Sequence, residues 1–214
     1  MNYKINQRNK VLRAKERGIY DKKTVYEILD AGKIAHVGII MDQQPFVIPM
    51  SYARVDDTII LHGALNSRIC TSLIEGMPAC ITVTHLDGLV LARSTFSHSM
   101  NYRSVVAFGT ARQIEDRDEK LKALESLVEF LAPGRTSDCR PPNKKELNAT
   151  SVVEFKIEQA SAKVRSGGPK DKQADLDLDV WAGTVPISQH YGDWQAAEDL
   201  KQGINFPNYK EGIK

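Results

Sequence analysis

A chain of 214 residues, 42% of them apolar, fits one domain with appendages and is too apolar for wholesale disorder. Its 29 basic and 27 acidic residues leave a formal charge of +2, which argues against the concentrated basic face of a nucleic-acid binder. There is no run near the ~20 apolar residues of a membrane span, no apolar core of a signal peptide at the start, and no disulfide or zinc pattern among Cys70, Cys80 and Cys139, so a reducing cytoplasm is the expected compartment.

Along the chain, Lys4 to Lys15, with Arg8, Lys10 and Arg13, reads as a solvated arm, and residues 1–17 are assigned to it. Thr24-Val25-Tyr26-Glu27 has the form of a capping box and predicts a short helix through Leu29 that Gly32 stops. Ile34 to Met41 is rich in β-branched residues, Asp42 to Pro45 is turn-like and Phe46 to Arg54 resumes as strand, which together predict a hairpin. Val55-Asp56-Asp57 turns the chain into a strand over Thr58 to His62, and a helix follows from Ser67 to Ile74. Ala79 to His85 and Tyr102 to Ile114 alternate like strands. Asp116 to Leu131 carries Leu121, Leu124, Leu127, Val128 and Leu131 at helical spacing. A last strand is expected over Ser151 to Ile157. Five or six strands joined by short turns imply an antiparallel sheet closed, or partly closed, into a barrel. The tail beyond Gly167 is polar and reads as a wrapping arm.

Two segments carry chemistry. In Leu61-His62-Gly63-Ala64-Leu65-Asn66-Ser67-Arg68 a strand ends in a loop that opens into a helix, and such a start favours an anion. Ser67 adds a hydroxyl and Arg68 a guanidinium that can grip phosphate oxygens; the alternative is an ordinary helix cap with a surface arginine. His98 to Gly109 leads a cluster of polar donors into an apolar strand, a pattern for groups held toward a ligand or for a solvated loop before a core strand. The histidines His36, His85, His98 and His190 show no metal-ligand spacing, so structural roles are expected for them and no metal site is assigned.

Asn101-Tyr102-Arg103-Ser104-Val105-Val106, continuing to Phe108-Gly109-Thr110-Ala111-Arg112, resembles the strand signature of nitroimidazole-resistance reductases within the pyridoxamine-phosphate-oxidase-like flavoproteins. Ile34 to Gly38, Phe46 to Met50, Leu61 to Arg68, Pro133-Gly134-Arg135 and Arg140-Pro141-Pro142 resemble further landmarks of that family, in order, from about Gly18 to Pro186. The resemblance implies a mainly β fold with flanking helices: an antiparallel, Greek-key-like split β-barrel over residues 18–165, with a carboxy-terminal arm over 166–214. It also implies a homodimer holding one FMN in each of two clefts. Carried over by position, Val47, Ile48, Pro49 and Met50 would line the flavin ring, with His62, Gly63 and Ala64 beside it. Ser67 and Arg68 would hold the phosphate, and Arg103 and Ser104 would contact the cofactor from within the barrel. Lys163 or Arg165 and Trp181 would approach from the carboxy-terminal arm. His62 stands where the reductases place a histidine that could donate a proton.

The family's vitamin-B6 oxidases carry a lysine where this chain has Ser51, and their substrate-phosphate cluster is missing after Gly109, so that activity is not expected. The resemblance implies instead a reductase passing electrons from NAD(P)H to a small aromatic or nitro acceptor. The alternative is a non-catalytic protein binding flavin, haem or deazaflavin on the same barrel.

Overall fold

The computed structural model describes residues 1–207; positions 208–214 of the expected carboxy-terminal arm lie outside the described residues. The chain forms β1 (Gly18–Ile19), α1 (Lys22–Ala31), β2 (Ile34–Met41), β3 (Gln44–Ser51), β4 (Ala53–Val55), β5 (Thr58–Ala64) and α2 (Arg68–Ile74). It continues through β6 (Ala79–Leu91), β7 (Ser99–Gln113), α3 (Arg117–Leu131), α4 (Lys144–Ala149), β8 (Thr150–Arg165) and β9 (Gly183–Pro186).

Nine antiparallel strands form one sheet in the order β3-β2-β6-β7-β8-β5-β4, with β1 on β8 and β9 on β6. The sheet does not close on itself. β6, β7 and β8 are successive neighbours and β5, which precedes them, lies beside β8, so the arrangement is a Greek key. The mainly β, split-barrel expectation holds, but the strands are more numerous and longer than the alternation alone showed. The expected strand from Phe46 to Arg54 is two, because buried Tyr52 interrupts it and donates its hydroxyl to the Leu29 carbonyl. β7 and β8 pair over most of their length with a bulge between Phe108 and Gly109. A Cβ on Gly109 would stand 1.7 Å from the Lys156 carbonyl oxygen, so only glycine lets the bulge form.

The helices follow from their caps and apolar spacing. α1 starts earlier than Thr24-Val25-Tyr26-Glu27 implied: Asp21 is the cap and accepts the Thr24 amide at 2.9 Å. Asp21 takes that role because its carboxylate reaches the third helical amide and favours the positive end of the helix. Val25, Ile28 and Leu29 then bury one stripe against the sheet. In α3, Asp116 caps with bonds from the Asp118 and Glu119 amides, and Leu127 seats in a second core with Ile60, Ile114 and Val152. α4 was missed from the sequence, although Asn143 and Glu146 form a reciprocal capping box there.

The amino-terminal segment is not a free arm. Tyr3 and Asn9 are buried, the Asn9 amide donates to the Ala160 carbonyl at 3.2 Å, and Asn2 bridges to Asp21. Its basic side chains Lys4, Arg8, Lys10 and Arg13 are exposed, and so are Ile5 and Leu12. The tail is anchored at two points: Asp171, with its side chain 2% exposed, accepts from the Arg93 amide and guanidinium, and β9 pairs with β6.

Candidate functional site

The loop between β5 and α2 is built so that donors face outward. The Ser67 amide turns back to the Ala64 carbonyl at 2.9 Å, and Thr71 is the first amide to bond within the helix, to the Ser67 carbonyl at 3.0 Å. The amides of Arg68, Ile69 and Cys70 therefore precede any helical acceptor. The Ser67 side chain makes no capping bond, so its hydroxyl is left over. A Cβ on Gly63 would stand 3.0 Å from the Ser67 Oγ and the Cys70 Sγ, so glycine here lets the helix start close onto the strand. Arg68 makes no ion pair among the described residues; its guanidinium lies 5.2 Å above the Phe46 ring.

That contact joins the anion-favouring loop to β3, the strand expected to line a flavin ring. Ile48 and Met50 pack inward against the main core, whereas Val47 is 64% exposed and Pro49 faces out beside it. β3 ends the main strand path, so it presents backbone groups along its free edge. Ser67, Arg68 and β3 are thus brought together by the fold.

His62 and Ala64 point to the other face of β5. His62, in register with Val152, shares its face with Ile60 beneath α3 and borders a cavity of about 770 Å³. Leu124, Val128 and Leu131 of α3 and Pro141-Pro142 form most of the wall, which is predominantly apolar. Arg140 lies at this cavity, held at 2.6 and 2.8 Å by both oxygens of Glu146. The Arg140 guanidinium, with the Asn143 amide, pushes the Glu146 carboxyl down to about 2, so the pair stays ionised at every ordinary pH. The leucines at helical spacing face this side: Leu127 is buried in the second core, Leu124 packs against it, and both border the cavity with Leu131.

The remaining expected residues lie at the far end of β7 and β8. Ser104 faces Lys163 across the ladder and donates to its carbonyl at 3.4 Å, a weak bond. Arg103 is engaged with Asp87 through two bonds of 2.9 and 2.8 Å, which hold the Asp87 carboxyl below its ordinary range. Arg165 is buried and donates to the Asn101 side chain and to the Gly167 and Gly168 carbonyls, closing the start of the tail. Trp181 is 66% exposed and packs over Gly183. The fold gives Arg103 and Arg165 protein partners, whereas the Ser67 hydroxyl and the Arg68 guanidinium make no hydrogen bond among the described residues. Among the described residues no group of His, Cys, Asp and Glu has the arrangement of a metal site, and Cys70, Cys80 and Cys139 are free. No helix among the described residues is long and apolar enough to cross a membrane.

A family model for pyridoxamine 5'-phosphate oxidase matches residues 21–164. Among solved structures, the flavocytochrome Anf3 from Azotobacter vinelandii is 35% identical, with 98% of this chain and 97% of that one aligned at a TM-score of 0.92. A FAD and heme binding protein from Mycobacterium smegmatis is also 35% identical, over 92% of this chain and 97% of its own, at 0.88. A protein of Bacteroides thetaiotaomicron assigned to 5-nitroimidazole antibiotic resistance is 26% identical over 69% of this chain and 86% of its own, at 0.58. No curated protein matches the sequence. A match over residues 21–164 and two relatives at 35% identity across nearly the whole length settle the family: this chain belongs to the pyridoxamine 5'-phosphate oxidase-like split-barrel proteins.

Proposed function

We propose that this protein is a redox carrier or reductase that binds a flavin at the β5–α2 loop and β3, and a heme in the cavity beside His62. The observation that carries this reading is the placement of both features on one strand end. Within seven residues, β5 and the loop after it present an imidazole to a large apolar cavity and a hydroxyl, a guanidinium and helix-start amides to solvent. The two relatives at 35% identity, a flavocytochrome and a FAD and heme binding protein, use both groups.

The residues fit each group by their chemistry. Ser67, Arg68 and the first amides of α2 suit a flavin phosphate, and the edge backbone of Val47 to Met50 suits a polar ring edge. FMN, expected from the sequence, and FAD share that phosphate; the Mycobacterium smegmatis relative binds FAD, which favours the dinucleotide. For heme, His62 would supply an imidazole nitrogen and Leu124, Val128 and Leu131 an apolar wall. When bound, a flavin supplies two-electron chemistry and a heme one-electron chemistry, while the protein supplies position and electrostatics. Absorbance of the purified protein, followed by heat release and chromatography, tests the reading; a preparation that takes up neither FAD nor FMN sinks it.

A second reading, reduction of a nitroaromatic compound by NADH or NADPH, is favoured by the 26% identical resistance protein. Turnover no faster than free flavin would remove it. We also propose a homodimer: Ile34, Ile40 and Val47 form an exposed apolar strip on β2 and β3 of the kind that a second copy covers.

A further inference from the structure

A second cavity, of about 710 Å³, lies where α1 ends and β2 begins, bounded by β3, β6 and the tail. Its ionisable nitrogen groups are Lys33, His36, His85 and His190, drawn from three separate parts of the chain. None of the described residues lining it carries a carboxylate. Asp30, which acts on Lys33, binds Arg54 through two bonds of 2.6 and 2.7 Å, and Asp87, which acts on His85, binds Arg103. A concave site lined by one ammonium and three imidazoles, with no carboxylate among its described lining residues, favours an anion over a cation.

The hydrogen-bonding capacity is also unfilled. Lys33 gives one ammonium proton to the Phe130 carbonyl at 2.6 Å and lies 4.7 Å above the Phe130 ring, which leaves two protons. The His85 Nε2 donates to the Ile28 carbonyl at 2.9 Å, so the ring is fixed as part of the wall and its Nδ1 is an acceptor. Burial lowers the Lys33 pKa in spite of Asp30 nearby, the behaviour of an ammonium short of counter-charge. Ile34, Pro49 and Val83 supply the apolar part of the wall, and Thr84 and Tyr191 add hydroxyls.

We infer that this cavity binds a small organic anion, an apolar body bearing a carboxylate, gripped by Lys33, His36 and His190. The tail, paired to β6 at β9, contributes His190 to the lining. Pro49 belongs to the strand proposed for the flavin ring, so the ligand would adjoin that site, yet binding does not depend on the flavin being there.

Calorimetric titration of the full chain, as purified, with benzoate, with benzamide as its uncharged counterpart and with inorganic phosphate tests the inference. Benzoate is expected to occupy a single site per chain, with benzamide weaker by about tenfold or more, as the loss of a charge-assisted contact requires. The double substitution His36→Gln and His190→Gln should weaken benzoate by about tenfold or more while flavin content and thermal midpoint stay unchanged. If that double variant unfolds, His190→Gln alone, on the exposed tail, should still weaken it. Tighter binding of phosphate than benzoate, equal binding of benzoate and benzamide, or unchanged affinity in the variants overturns the inference. So does binding confined to flavin-free protein and reversed by added flavin, since the cavity would then belong to the cofactor. A colourless protein that still discriminates benzoate from benzamide leaves this site standing while the flavin reading falls.

Discussion

Ser67 caps α2 and Arg68 opens it, with a hydroxyl and a guanidinium that no hydrogen bond among the described residues uses. A charged hydrogen bond to phosphate contributes about 1.5–3 kcal/mol, so Arg68→Ala should weaken flavin binding by roughly 10- to 100-fold. Fluorescence titration of the flavin-free protein measures this, and unchanged affinity would place the phosphate elsewhere. Gly63 makes the opposite kind of demand. Gly63→Ala puts a methyl 3.0 Å from Ser67 and Cys70, and overpacking of this sort costs about 1–3 kcal/mol. The expected result is a lower thermal midpoint together with loss of flavin, because the same atoms position the helix start. His62 faces the other way, so His62→Ala should abolish the heme Soret band and leave the flavin bands in place. Loss of both chromophores in that variant would show that the two proposed sites are not separable.

The polar cluster at the β4–β5 turn shows how an element boundary sets pH behaviour. Asp57 accepts from the Lys22 ammonium and the Tyr26 and Tyr3 hydroxyls, tying the amino-terminal segment and α1 to the sheet. Burial alone would raise its pKa, but Lys22, Tyr26 and Tyr3 together hold it below the ordinary value. A carboxylate depressed on folding stabilises the protein above its unfolded pKa of about 3.9, and that stability is lost as pH falls through the folded value. Asp57→Asn should therefore lower the thermal midpoint at pH 7, and its curve should converge with the parent's below about pH 4. Parallel curves at all pH values would show that the cluster contributes packing and not charge. Much at this scale was legible beforehand: the hairpin of β2 and β3, the loop from Leu61 to Arg68 and the stripe of α3 are local patterns. The cap was misplaced by three residues because Thr24-to-Glu27 and Asp21-to-Thr24 both offer the right spacing, and only the fold shows which amide needs a partner. β9 has four residues and ends in Pro186, so nothing in its own composition marks it as a strand; β6 recruits it. His36, His85 and His190 meet through pairings between distant segments, which no spacing along the chain could disclose.

For the molecule as a whole, the segments outside the barrel are joined to it. Asn9 and Tyr3 pin the start, and Asp171 and β9 pin the tail across the β6–β7 connection. Asp171→Ala leaves the Arg93 guanidinium without its carboxylate, and breaking a largely buried pair costs about 3–5 kcal/mol. Faster proteolysis of the tail, with the barrel core resistant, is the expected outcome; uniform resistance would mean that β9 alone secures it. The exposed strip on β2 and β3 predicts a sedimenting species of twice the 23.9 kDa chain mass, and a species at the chain mass would remove the dimer. The central claim, that one strand end serves two redox groups, is tested most directly by the absorbance spectrum of the protein incubated with flavin and hemin and then freed of excess. Simultaneous flavin and Soret bands, near one of each per chain, are predicted. A protein that stays colourless, or that takes up hemin equally well as His62→Ala and flavin equally well as Arg68→Ala, contradicts it.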